Sequence, residues 1–175
     1  DPLQDSQRLK DFIVLFSDNP LLGVLAGVII TMILQSSSVT VALLQVLAFK
    51  GLITFDAAVP LILGDNIGTT IKAQMAAVGA NLNARRAAMS HTMFNVIGVS
   101  YMIVFVYFGW YQRFVDFIIP GPITLKNIMV YMAVAHTIFN VVNAVVFLPL
   151  IGWLEKISIA LVPQKKGVED LGPQY

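Results

Sequence analysis

Two clusters of hydroxyl and amide side chains interrupt apolar sequence in the first half of the chain: Gln35-Ser36-Ser37-Ser38 and Gly64-Asp65-Asn66-Ile67-Gly68-Thr69-Thr70. Ser36, Ser37, Ser38, Thr40, Thr69 and Thr70 offer neutral oxygens, which suit a hard monovalent cation such as sodium. Gln35 and Asn66 each present an amide donor and an acceptor, and so serve a cation or an oxyanion equally well. Asp65 is the sharpest letter, because a carboxylate inside an apolar run is expensive unless it faces a cavity or a partner. With Asp65 supplying the charge, Ser37, Ser38, Thr40, Asn66 and Thr69 complete a candidate sodium set. Lys72, seven residues further on, has two readings: contact with an anionic solute or ion pair with Asp65, against a long side chain snorkelling to an interface.

Both histidines fall inside an internal echo. Ser90-His91-Thr92-Met93-Phe94-Asn95 is answered 45 residues later by Ala135-His136-Thr137-Ile138-Phe139-Asn140. The four-residue spacing puts His91 with Asn95, and His136 with Asn140, on one helix face, and Asn143 extends the second face. Structural polar pairs between helices are the favoured reading. A metal-dependent intramembrane enzyme is disfavoured, since no cysteine or carboxylate accompanies the histidines at ligand spacing.

The elements that must position these groups belong in a bilayer. Of the 175 residues, 57% are hydrophobic and 12% charged, against roughly 45–50% and about 25% in soluble domains. Mean hydropathy is +0.79. A soluble fold of this size has too little interior to hide so much apolar side chain. The net charge of +1 provides no basic face for nucleic acid, and the absence of cysteine removes disulfide and thiolate chemistry. The polar start at Asp1-Pro2-Leu3 and the equally abrupt end are expected to be cuts from a longer polypeptide.

Residues 1–19 predict a short amphipathic surface helix, with Leu9, Phe12, Ile13 and Phe16 at helical spacing. Pro20–Leu34 and Val39–Phe49 are apolar but short. Fifteen helical residues reach about 22 Å, less than a hydrocarbon core of about 30 Å. The pattern recurs downstream, where residues 52–80 read as a helix broken at Gly64–Thr70, whose glycines would permit unusual torsions. Unwound backbone at membrane depth survives only against protein or a water-filled cavity, so two such breaks predict a polar cavity near the midplane. The bland alternative is tight packing of small residues between helices. Residues 81–86 read as an aqueous loop. Residues 87–110 and 128–154 are long enough to span, and 164–175 form a polar tail.

Three ordered motifs carry a resemblance. Gln35-Ser36-Ser37-Ser38, then Gly64-x-Asn66-Ile67-Gly68-Thr69-Thr70, then Arg85-Arg86-Ala87-Ala88-Met89-x-His91-x-x-Phe94-Asn95, resemble the type II sodium/phosphate cotransporter family. The match runs over residues 20–163 and is most similar to the second of the two homologous halves of bacterial members. The resemblance implies an all-α membrane protein comprising one transporter repeat: a re-entrant hairpin (20–49), a broken transmembrane helix (52–80) and two further transmembrane helices. It implies sodium-coupled uptake of inorganic phosphate across the bacterial inner membrane, with no enzymatic activity and no cofactor besides sodium as coupling ion. Gln35, Ser36, Ser37, Ser38, Asn66, Thr69 and Thr70 would contact phosphate. The partner would be a second homologous repeat, either in the same polypeptide or in a second copy forming a homodimer. Asp65 and Lys72 depart from the family pattern, where small or neutral residues stand.

This topology gathers Arg85, Arg86, Lys156, Lys165 and Lys166 at one end, and Arg8, Lys10, Lys50, Arg113 and Lys126 at the other. The count of basic residues is a tie, and the resemblance assigns the Arg85 end to the cytoplasm. Two other functions are kept open: sodium-coupled transport of another small anion, prompted by Asp65 and Lys72, and a non-transporting membrane sensor or scaffold.

Overall fold

The computed structural model describes residues 19–164, so the surface helix expected at 1–19 and most of the polar tail, with Lys165 and Lys166, lie outside the described residues. All regular structure among the described residues is helical. Helices α1 (Pro20–Leu34) and α2 (Ser37–Phe49) form the expected hairpin. α3 (Phe55–Ala76), α4 (Leu82–Tyr107) and α5 (Trp110–Ile118) follow, and α6 (Ile128–Phe147) passes through a 3-10 turn at Leu148–Leu150 into α7 (Ile151–Leu161).

Local chemistry fixes these boundaries. Asn19 accepts hydrogen bonds from the Leu21 and Leu22 amides, and Pro20 at the first helical position has no amide to satisfy. Thr54 caps α3 and Asn81 caps α4, each accepting from the amide three residues on. Asn81 therefore starts a helix, and residues 82–86, expected in an aqueous loop, form its first turns. The segment between the two expected spans likewise contains α5, which buries Tyr111 and Val115 and exposes Phe114 and Phe117. Pro149 ends the regular hydrogen bonding of α6, so the last apolar run is two helices joined by one 3-10 turn.

The second break is absent. Residues 55–76 form one continuous α-helix through Gly64–Thr70, with Pro60 tolerated near its start. This overturns the expected broken helix. Its glycines serve close approach instead of unusual torsions: a Cβ on Gly64 would collide with the Val24 carbonyl, one on Gly27 with the Leu61 carbonyl, and one on Gly68 would lie 2.7 Å from Thr31 Cβ. Gly23, Gly27 and Thr31 line the buried face of α1, so two small-residue stripes let the α1 and α3 backbones touch.

α3 is the axis of the molecule, buried without interruption from Ala57 to Asn66. Around it pack α1 and α2, then α4, then α6, in a core that includes Leu44, Phe55, Ile62, Val99, Tyr131 and Phe139. Phe55 meets Tyr131 edge-on at 5.7 Å. Two helical stretches, Leu82–Tyr107 and Ile128–Leu161, are long and apolar enough to cross a membrane. Arg86 donates from Nε to the Val162 carbonyl at one end, and the Gly51 turn beside Lys50 lies against Leu125 at the other.

Candidate functional site

The chain turns between α1 and α2 in two residues. Gln35 takes a left-handed conformation (φ 52°, ψ 25°), the one non-glycine residue with positive φ among the described residues, and its amide donates to the Thr31 carbonyl at 2.7 Å. A left-handed residue with a Cβ costs about 1–2 kcal/mol, so the surroundings must hold it. Ser36 is extended and caps α2, its Oγ accepting from the Val39 amide at 3.4 Å. Gln35 and Ser38 are exposed and Ser36 and Ser37 half-buried, which leaves a polar tip beside the strongly exposed Ile33 and Val39.

Asp65, about midway along α3, meets this tip from below and is completely buried. Its Oδ1 accepts from Thr31 Oγ1 at 2.9 Å and its Oδ2 from Ser37 Oγ at 2.5 Å. One carboxylate thus spans the turn, holding the last full turn of α1 and the first residue of α2. Thr31 Oγ1 also lies 3.1 Å from Thr40 Oγ1, which reaches the Ser36 carbonyl at 3.1 Å. Thr31, Thr40 and Asp65 are sealed from solvent.

The structure therefore brings together Ser36, Ser37, Thr40 and Asp65 of the expected residues. The others on α3 turn to their own helix: Asn66 Nδ2 donates to the Ile62 carbonyl (2.8 Å), Thr69 Oγ1 to that of Asp65 (2.8 Å) and Thr70 Oγ1 to that of Ile67 (2.7 Å). Asn66 and Thr70 are buried and Thr69 half-buried. Lys72 is exposed, makes no ion pair with Asp65 and has no polar partner among the described residues, which leaves the ion-pair reading without support. Thr31 was not among the expected residues. Its signal is plain in retrospect: it is the sole hydroxyl in Pro20–Leu34, and it continues the Gly23, Gly27 spacing of four.

The echoed histidine motifs share one local geometry. Asn95 Nδ2 donates to the His91 carbonyl at 3.0 Å and Asn140 Nδ2 to the His136 carbonyl at 2.9 Å, so neither amide bridges helices as expected. Asn143 does so instead. It donates to the Phe94 carbonyl (3.2 Å), accepts from the Tyr101 hydroxyl (3.1 Å) and sits in the space that Gly98 leaves on α4. At the far end of α3, Gln74 Nε2 reaches Thr92 Oγ1 at 2.6 Å and the Ala88 carbonyl at 3.0 Å, fixing α3 to α4.

Described residues that are all helical in their regular structure, with membrane-length apolar helices, a hairpin too short to span and a polar tip over a buried carboxylate, have the features of a membrane transport protein. The chain belongs to the Na+/Pi-cotransporter family, whose model matches residues 4–120. It is 33% identical to the uncharacterized protein YqeW of Bacillus subtilis over 166 residues, which is 94% of this chain and 51% of that protein. It is also similar to two human proteins. Sodium-dependent phosphate transport protein 2C is 45% identical over 82 residues, 45% of this chain and 14% of that protein. Sodium-dependent phosphate transport protein 2B is 34% identical over 115 residues, 62% and 17% respectively. The chain spans about half the length of the Bacillus relative and under a fifth of the human ones. No solved structure matches.

Proposed function

We propose that this chain supplies one half of a sodium-coupled phosphate transport core in the cell membrane. The observation that carries the proposal is the exposed polar tip of a hairpin whose arms are too short to span. Helices of 15 and 13 residues reach about 22 and 20 Å, so Gln35–Ser38 lie at the depth of the hydrocarbon core. Exposed amide and hydroxyl groups there are not covered by lipid, whose tails offer no hydrogen bonds. They require a solute, water or a second polar surface.

In this reading Gln35, Ser36 and Ser38 make first contact with phosphate, whose oxyanion oxygens accept from the amide and hydroxyl groups. Sodium is coordinated by neutral oxygens of the tip and of α3, among them exposed Ser38 and half-buried Thr69. Asn66 and Thr70 back the site from inside α3. A homologous repeat faces the tip and completes the cavity. Family membership supports sodium and phosphate as the transported pair, and the names of the human relatives agree with it.

Radiolabelled phosphate uptake into vesicles, with and without an inward sodium gradient, tests the proposal. Sodium-stimulated uptake that falls at least tenfold in Gln35→Ala is expected. Uptake indifferent to sodium and equal in Gln35→Ala and wild type overturns it. Competition by sulfate and small carboxylates then ranks phosphate against other anions.

A further inference from the structure

We infer that Asp65 is a positioning residue, a latch through which α3 sets the shape of the hairpin tip, and not itself a ligand of the transported ions. The inference rests on the transport reading above for its functional consequence, but its geometry stands apart from it.

Three observations carry it. The two carboxylate oxygens engage opposite sides of the turn, Oδ1 on Thr31 of α1 and Oδ2 on Ser37 of α2. Between those two anchors lies the left-handed Gln35, a conformation that persists only when both flanking segments are held. Finally, Asp65 is completely buried beneath the tip while Gln35 and Ser38 are exposed above it. To reach this sealed carboxylate from the tip, a solute must displace the Thr31 and Ser37 side chains bonded to it, and displacing them dissolves the turn that presents Gln35 and Ser38. The helix seam leaves no slack for α1 to shift instead, because Gly27 and Gly64 already bring the backbones into contact.

The latch needs hydrogen-bond capacity on both sides of the turn, not charge. An asparagine supplies it, since its oxygen accepts from Thr31 while its amide donates to the Ser37 oxygen. Alanine supplies neither. The positioning role therefore predicts rescue by Asp65→Asn, whereas a cation ligand loses its charge in that variant.

Sodium-driven phosphate uptake by the transporter that contains this chain, reconstituted in vesicles, separates the two. Asp65→Ala is expected to raise the phosphate KM at least tenfold. Asp65→Asn is expected to keep phosphate KM and sodium half-saturation within threefold of wild type. Thr31→Val should raise the phosphate KM by itself and add nothing to Asp65→Ala, because the two act as one unit. A sodium half-saturation shifted tenfold or more in Asp65→Asn overturns the inference, as does additivity of Thr31→Val with Asp65→Ala.

The chain has no cysteine, so a single Gln35→Cys reports on the tip without reference to transport. Its maleimide labelling rate should change at least threefold on adding Asp65→Ala and stay unchanged on adding Asp65→Asn. Equal rates in all three backgrounds overturn the latch. If wild type takes up no phosphate yet labelling follows the expected pattern, the transport reading fails and the latch stands.

Discussion

The two polar interruptions, Gln35–Ser38 and Gly64–Thr70, look alike in sequence and end as opposites. The first breaks a helix and the second lies inside one. At the first, Ser36 can cap a new helix, and Asp65 holds both sides of the turn. At the second, every side chain finds a partner without unwinding: Thr69, Thr70 and Asn66 bond carbonyls three or four residues back, and the glycines disappear into the α1 contact. Polar and glycine-rich sequence within an apolar run thus has two outcomes. Here the run that stays helical carries glycines packed against the α1 backbone, and the run that breaks has none.

Substitutions that act on one interruption and spare the other sharpen this contrast. The largest effect is expected at the seam. Gly64→Leu places a branched side chain where the Val24 carbonyl already lies, and overpacking of this kind costs about 1–3 kcal/mol or more. Loss of the monodisperse peak in detergent, or a fall in melting temperature exceeding that of every tip variant, checks it. Gly64→Ala should follow the same direction, and a stable Gly64→Ala would show that the two helices are not held in contact.

Next comes Asn143→Ala, which removes two links between α6 and α4 and leaves the Phe94 carbonyl and Tyr101 hydroxyl without them. A destabilisation of about 1–3 kcal/mol is expected in a denaturation series. The echo residue Asn140→Ala should cost less, since its amide bonds only its own helix.

At the tip, Ser36→Ala removes the α2 cap and should cost about 1 kcal/mol. Gln35→Gly relieves the left-handed conformation, so stability should hold or rise by up to about 1 kcal/mol while phosphate uptake falls with the lost amide. Parallel melting curves and uptake assays test that split between stability and function. The smallest effect belongs to Lys72→Met. With no polar partner among the described residues, the ammonium contributes less than about 0.5 kcal/mol to stability, which a melting curve reads directly.

Much of the fold was legible because helix ends carry chemical marks. The first hairpin arm, residues 20–34, is found where Pro20 and the polar tetrapeptide placed it, and the second arm starts at Ser37, just inside that tetrapeptide. Elsewhere the marks misled. Asn81 opens a helix, and residues 82–86 are polar because that end leaves the core, not because the chain is irregular. α5 was hidden because nine residues of mixed polarity give too short a pattern to separate from a loop.

The site was legible in part. Asp65 stood out by type alone, and Ser37 and Thr40 by proximity to the break, whereas Thr31 appeared only once α1 lay against α3. Composition and hydropathy by themselves pointed to an apolar helical membrane chain interrupted at Gln35–Ser38, and the three motifs carried the resemblance to the Na+/Pi-cotransporter family that the family model bears out. Only the tertiary structure decided that the second interruption stays helical and that Asp65 bonds across the turn rather than to Lys72. The physical reason is that backbone contact and hydrogen-bond partnership lie between segments some thirty residues apart, and no local preference of either segment encodes the distance between them.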